Sequence, residues 1–378
     1  MQTLPSEWKE GWEALRALPP GGVALLVGAT DRGKTTFAAY AARALAAEFA
    51  DSPDKRRVAL VDADIGQGEI GPPGTVGVAW VSPETTKLSD LRANAVFFVG
   101  AFAPNMAALE LAVAAGQATD TARSGGARIV LVDTAGWVSG PAARRLQIAT
   151  AQAVRPSVIL CFGPEAAALA AAMGVSVGVP VGYLGVPTEV GRKSSGVRTT
   201  RRLTRLSRAL AGETPKSPSD ASKTGREIAL PLATVPVVGA TLGTGEALPP
   251  ALVRWAGEAL RVPVLYAEQS DGILNVFTRG TVRSNWEQEA GPVATHFGVR
   301  TVRVLSLAAY AGAYVGLTGD AGRLLGVGIC TGFDADRAAL LVAAPFPITA
   351  ERVRLVAFGR VRLNADGSFL NEIKPGEL

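Results

Sequence analysis

Residues 28–36 read Gly28-Ala29-Thr30-Asp31-Arg32-Gly33-Lys34-Thr35-Thr36. They follow a short apolar run, VALLVG (23–28), and open an Ala-rich segment of helical periodicity, Lys34–Ala50. This is the pattern GxxxxGK[ST] between a strand and a helix, the context that a phosphate-binding loop requires. Gly28 and Gly33 permit the tight turn. The loop amides and the helix N-terminus then face anionic phosphates. Lys34 is expected to reach the β- and γ-phosphates, and the Thr35 hydroxyl to hold Mg²⁺. All nine residues are assigned to nucleotide binding. The loop alone leaves open a switch, a motor or a phosphotransferase.

Outward from the loop, strand-like and helix-like runs alternate. RRVALVDAD (56–64), AVFFVG (95–100), ARIVLVDTAG (127–136) and SVILCF (157–162) read as strands. Residues 105–122 and 140–154 read as helices. Alternation at this spacing implies an α/β P-loop NTPase fold with a parallel sheet flanked by helices. From Arg192 to Arg208 the chain turns basic and helical, and residues 213–227 read as a Ser/Pro/Lys linker. Beyond Ile228 come short β-type runs separated by Gly, Asp and Asn turns. We therefore expect a P-loop domain over 1–227, with a basic helical lid at about 190–212, and a β-rich C-terminal domain over 228–378.

Composition narrows the chemistry. The chain has 378 residues, of which 48% are apolar and 19% charged, so most of it is long and apolar enough to fold. Two cysteines and one histidine, His296, exclude a disulfide framework and a zinc site. The Gly/Pro-interrupted uncharged stretch 166–188 reads as helix, turn and strand rather than a membrane span. No secretory signal is evident at the start of the chain, so the expected location is cytoplasmic, with no membrane partner. The net charge is +5, and 30 of the 38 basic residues are Arg, which suits bidentate contact with phosphate. Residues 190–212 alone carry +7, which leaves −2 for the rest. The basicity is a local feature.

Three further segments carry chemistry. Asp62 and Asp64 end the second strand and lie two residues apart, on one side of an extended chain. A kinase needs one carboxylate to accept the proton of the attacking hydroxyl, and Asp64, at the lip, is assigned that role. Asp62 either orders Mg²⁺ through water or supports the loop. Asp133 ends the strand 129–133 as a Walker B Asp does, and is a candidate Mg²⁺ ligand. Trp137 either stacks on a nucleobase or packs beneath the next helix. In the basic segment Arg198, Arg202 and Arg205 share one helical face, so an anion should compensate them. Either a lid over phosphates or a solvated basic face would account for this pattern.

Together GATDRGKT (28–35), DADIGQGEIGPPGT (62–75), FVGAFAP (98–104), DTAGW (133–137) and the basic lid resemble one family. It comprises the polynucleotide 5′-hydroxyl kinases related to the kinase-like subunit of the mRNA 3′-end cleavage factor, with the ribosomal-RNA-processing kinases. The chain looks like a compact form without the family's N-terminal β domain. The resemblance implies that Asp64 is the general base and that Lys34, Arg198 and Arg202 neutralise the transferred phosphoryl. It implies that Thr134, Gly136 and Trp137 clasp the 5′ end, with Trp137 stacking opposite Arg202. Gln67, Arg192, Lys193 and Arg205 complete the expected nucleic-acid contacts. ATP (or another nucleoside triphosphate) and Mg²⁺ are the implied cofactors, and 5′-OH RNA or DNA the acceptor. Protein partners are unknown. The alternative is a P-loop switch module that regulates a partner protein.

Overall fold

A computed structural model describes residues 4–50, 58–188, 191, 194–211, 226–232, 235–238, 242–282, 285–334, 336–345 and 348–374. The chain forms two compact units, Met1–Leu206 and Ser207–Leu378.

In the first unit α1 (Lys9–Arg16) precedes β1 (Gly22–Gly28), the phosphate-binding loop and α2 (Lys34–Glu48). Then come β2 (Val58–Ala63), β3 (Thr75–Trp80), β4 (Ala95–Phe98), α3 (Ala108–Ser124), β5 (Ile129–Thr134), α4 (Pro141–Val154), β6 (Val158–Phe162), α5 (Ala167–Val177), β7 (Val181–Leu184) and the lid helix α6 (Ser195–Ala211), of which residues 195–206 fall in this unit. The sheet order is β4-β3-β2-β5-β1-β6-β7. The strands β2, β5, β1, β6 and β7 run parallel. They read as continuous apolar runs because helices cover both faces. Val23, Leu25 and Val27 of β1 enter one core with α3, α4 and α5. Ala24 and Leu26 enter the other with Trp8, Phe37 and Leu45 of the α1/α2 side.

The expectation of a parallel sheet needs one correction. β3, a strand not foreseen between residues 75 and 80, pairs antiparallel with β2, and β4 pairs antiparallel with β3. The chain therefore doubles back after Asp62 instead of crossing over through a helix, and the loop 64–74 makes that reversal. Its closure is a bond from the Gly74 amide to the Ile65 carbonyl, 3.0 Å.

The second unit is rich in β structure, with β8 (Arg226–Pro231), β9 (Val237–Val238), β10 (Glu246–Ala247), α7 (Pro250–Leu260), β11 (Val264–Ser270), β12 (Ile273–Thr278), α8 (Trp286–Phe297), β13 (Thr301–Ser306), β14 (Ala313–Thr318), β15 (Leu324–Asp334), β16 (Ala339–Ala344), β17 (Leu355–Leu363) and β18 (Phe369–Glu372). One sheet runs β10-β11-β12-β13 and the other β18-β17-β14-β15-β16-β8, with β9 beside β17. The helices α7 and α8 were not anticipated. They cover the smaller sheet through Leu260, Val293, Leu274 and Val276. His296 stacks on Trp255 at 3.8 Å between ring centroids, which gives this histidine a packing partner. Among the described residues no helix is long and apolar enough to cross a membrane.

Candidate active site

The site lies at the carboxyl ends of β1, β2 and β5. Asp31 and Gly33 of the phosphate loop both adopt left-handed backbone, with φ of +58° and +89°. Gly serves this conformation without cost and Asp tolerates it better than most residues. Gly136 is required for a different reason. A Cβ there would stand 2.5 Å from the Thr30 amide nitrogen, so the DTAGW loop packs directly on the phosphate loop.

Lys34 is buried, and its ammonium donates to the Gly28 and Ala29 carbonyls at 2.8 and 3.0 Å. Burial lowers its pKa, while Asp133, Asp64 and Asp31 act to hold it up. The Thr35 hydroxyl donates to the Asp133 carboxylate at 2.5 Å. These are hard oxygen donors at the foot of the loop, the chemistry that suits Mg²⁺. Among the described residues no cluster of three His, Cys, Asp or Glu could cage a metal. A cation here would complete its shell from phosphate oxygens and water, which is the usual habit of Mg²⁺.

The two aspartates of β2 and its exit diverge. Asp62, in register with Asp133, is 5% exposed. Its oxygens accept the amides of Asp64 (3.2 Å), Glu69 and Ile70 (3.1 Å). Burial first, then Asp133 and Asp64, push its pKa up to about 7. The Asp62 carboxylate thus organises the loop that follows it. Asp64 is half-buried and accepts the Gly66 and Gln67 amides at 3.2 and 3.0 Å. It stands on the loop that Asp62 folds. The Gln67 side chain donates from Nε2 to the Gly66 carbonyl at 2.8 Å.

Thr134 is buried and donates to the Leu26 carbonyl at 2.7 Å, so its side chain ties β5 to β1. Trp137 is half-buried against the core, and Gln147 donates to its carbonyl at 3.2 Å.

The lid helix lies on these loops. Arg198 pairs with Asp31 of the phosphate loop at 3.5 Å, and Arg201 with Glu69 at 3.7 Å. The Arg202 guanidinium lies over the Phe102 ring, 5.3 Å from its centroid. Arg205 donates to the Gly71 carbonyl at 2.6 Å. The expected positions Arg192 and Lys193 lie outside the described residues. Asp31, Glu69, Gly71 and Phe102 as lid partners were not singled out in advance, because nothing local in the sequence pairs residues so far apart in the chain. Glu165 was also missed. It pairs with Arg32 at the rim of a cleft of about 600 Å³. Cys161, Gly163, Tyr183, Leu184, Gly185 and Val186 at the ends of β6 and β7 line that cleft. Open α/β sheets take their ligands at this edge.

A glycine-rich loop with buried Lys34, a Thr35–Asp133 pair and arginines on a following helix have the form of a P-loop domain. The family model for the P-loop of the mRNA cleavage and polyadenylation factor CLP1 matches residues 28–208. A polyribonucleotide 5′-hydroxyl-kinase of Pyrococcus abyssi is 34% identical over 152 residues, 40% of each chain. The like-named protein of Thermococcus kodakarensis is 32% identical over 158 residues, 42% of this chain and 43% of that one. This chain thus covers about two fifths of the length of these relatives. A solved structure of the Clp1p–Pcf11p complex is similar over 94% of this chain and 78% of that one, with a TM-score of 0.55. At 12% identity this likeness bears on the fold.

Proposed function

We propose that the protein is a polynucleotide 5′-hydroxyl kinase that transfers the γ-phosphoryl of ATP to the 5′-OH of RNA or DNA. The observation that carries this reading is the reach of the lid to the phosphate loop through Arg198 and Asp31. On this reading Arg198 would serve as the cation on the transferring phosphoryl. The names of the relatives supply the acceptor class.

In this reading the phosphate loop holds the triphosphate and the cleft beside Arg32 takes the base. Lys34 leaves the loop carbonyls to meet the β- and γ-phosphates. Asp64 accepts the proton of the 5′-hydroxyl as its oxygen attacks phosphorus. The bond to the ADP oxygen breaks, and ADP leaves with that electron pair. Arg198 and Arg202 neutralise the equatorial oxygens, a role worth roughly 10³–10⁵ in rate where such an arginine has been measured. Thr35 and Asp133 would hold Mg²⁺, which supplies charge neutralisation on the β- and γ-phosphates. Asp62 acts through the loop it folds. Trp137 is the proposed platform for the first acceptor base, with Gly136 keeping it close to the phosphate loop. Gln67, Arg192 and Lys193 are proposed to contact the acceptor, and the Thr134 side chain to hold the clasp segment in place. Residues 228–378 are proposed as a separate domain beyond a linker at about 213–227, with Arg226 and Glu227 of that span already in strand β8.

The test is transfer of labelled γ-phosphate to 5′-OH oligonucleotides, RNA and DNA, single- and double-stranded, with Mg²⁺. A 5′-phosphorylated product is expected. ATP turnover that ignores every acceptor would replace this reading with the switch module.

A further inference from the structure

The segment 64–71 is an irregular loop, yet it carries the proposed base and has to hold it still. From inside, Asp62 gathers the amides of Asp64, Glu69 and Ile70. From outside, Arg205 donates its guanidinium to the Gly71 carbonyl at 2.6 Å. Arg205 is half-buried, in the field of Asp62 and Glu69. A charged donor bonded to a carbonyl in such a setting makes a short, strong hydrogen bond. Its neighbours on α6 address the same loop. Arg201 pairs with Glu69, and Arg202 covers Phe102. The Phe102 carbonyl would lie 2.7 Å from a Cβ on Gly66, so its backbone packs against the loop itself.

We propose that Arg205 is a positioning residue that couples the lid helix to the 64–71 loop and thereby sets where Asp64 stands. This differs from the acceptor contact that the sequence assigns to Arg205, and it rests on the kinase reading of Asp64. A lid displaced from Gly71 releases the loop, and Asp64 then drifts from the 5′-hydroxyl. A misplacement of about 1 Å in a reacting group costs on the order of 10²-fold in rate.

The experiment uses the full chain with Arg205→Gln and Arg205→Lys. For Arg205→Gln, kcat for phosphoryl transfer should fall about 10- to 100-fold. The KM for ATP and for the oligonucleotide should each stay within about twofold, because binding groups are untouched. Arg205→Lys retains a cationic donor and should recover part of kcat. If the Gln variant fails to fold, the Lys variant carries the same reading through an intermediate kcat at unchanged KM. A raised oligonucleotide KM with unchanged kcat makes Arg205 an acceptor ligand and overturns the proposal. A second readout is independent of activity. In hydrogen–deuterium exchange the amides of 66–70 should exchange faster in Arg205→Gln and not in Arg208→Gln. Unchanged exchange in Arg205→Gln overturns the coupling. A wild type that transfers nothing overturns the kinase reading instead, so the two failures are distinct.

Discussion

Each unit of the molecule contains a buried carboxylate clamped on a glycine-rich loop. In the first unit Asp62 accepts three backbone amides from the loop 64–70. In the second, fully buried Glu268 accepts the Gly243 amide at 2.7 Å and the Tyr266 hydroxyl at 3.1 Å. The amides of Thr244 and Gly245 also act on Glu268. Burial pushes both carboxyls above their ordinary range. The device is the same, and the consequence differs because of what each loop carries. The loop of Asp62 bears Asp64, and Lys34 and Asp133 lie nearby. The loop of Glu268 consists of Leu242, Gly243, Thr244 and Gly245, with no charged side chain, and Glu268 faces buried Asn275 across the strand pair. A buried charge is therefore not in itself a mark of chemistry. A clamp that presents a second, half-exposed carboxylate next to a phosphate loop is.

This contrast is sharpened by three substitutions of decreasing effect. Asp64→Asn should lower phosphoryl transfer at least about 10²- to 10⁴-fold, the range for a lost general base, while nucleotide binding survives. Single-turnover transfer beside equilibrium ATP binding measures both, and near-wild-type transfer would remove Asp64 from the mechanism. Asp62→Ala should also depress kcat, whereas Glu268→Ala should spare kcat and cost stability. Stranding the buried amides around Glu268 costs on the order of 1–3 kcal/mol in urea unfolding. A kcat loss in Glu268→Ala equal to that in Asp62→Ala would break the distinction between the two clamps.

The smallest effect is the pH dependence of Asp62. Its ordinary pKa is 3.8, and in the folded chain it is about 7. The folded state therefore holds the proton more tightly than the unfolded one. The stability Asp62 contributes is fully present below about 3.8 and is lost as pH rises through 7. Urea unfolding of wild type between pH 4 and 8 should show a downward component with rising pH that Asp62→Asn lacks. Equal pH profiles for the two would show that Asp62 is already ionised across the range.

The parts of the molecule governed by neighbours in sequence were readable in advance. The loop 28–36 needs only a strand before it, a helix after it and a glycine, Gly33, where the backbone turns left-handed. The strand ends at Asp62 and Asp133 are marked by apolar runs that stop on a carboxylate, and both were found at adjacent positions of paired strands. The runs from 262 to 363 alternate and turn as strands do, and they form β11 to β17. β3 was not readable. Its residues follow Pro72-Pro73-Gly74 and look like the tail of a turn, and its direction depends on the closure of Gly74 on Ile65. The helices α7 and α8 escaped notice among strand-like neighbours, since at 11 and 12 residues they sit at the lower length at which a helix is told from a strand.

The sequence by itself marked a phosphate-loop pattern at 28–36 and seven cations between residues 192 and 208. It did so because motif spacing and charge are local properties. Only the tertiary structure decided that Asp62 is a clamp and Asp64 is presented, and that Arg198 meets Asp31 while Arg205 meets Gly71. The Arg205 pairing joins residues 134 positions apart, and both pairings exist only once β2, the phosphate loop and residues 195–206 of α6 are packed in one unit. A side chain's role follows from which partner removes its charge from water, and that partner is chosen by packing.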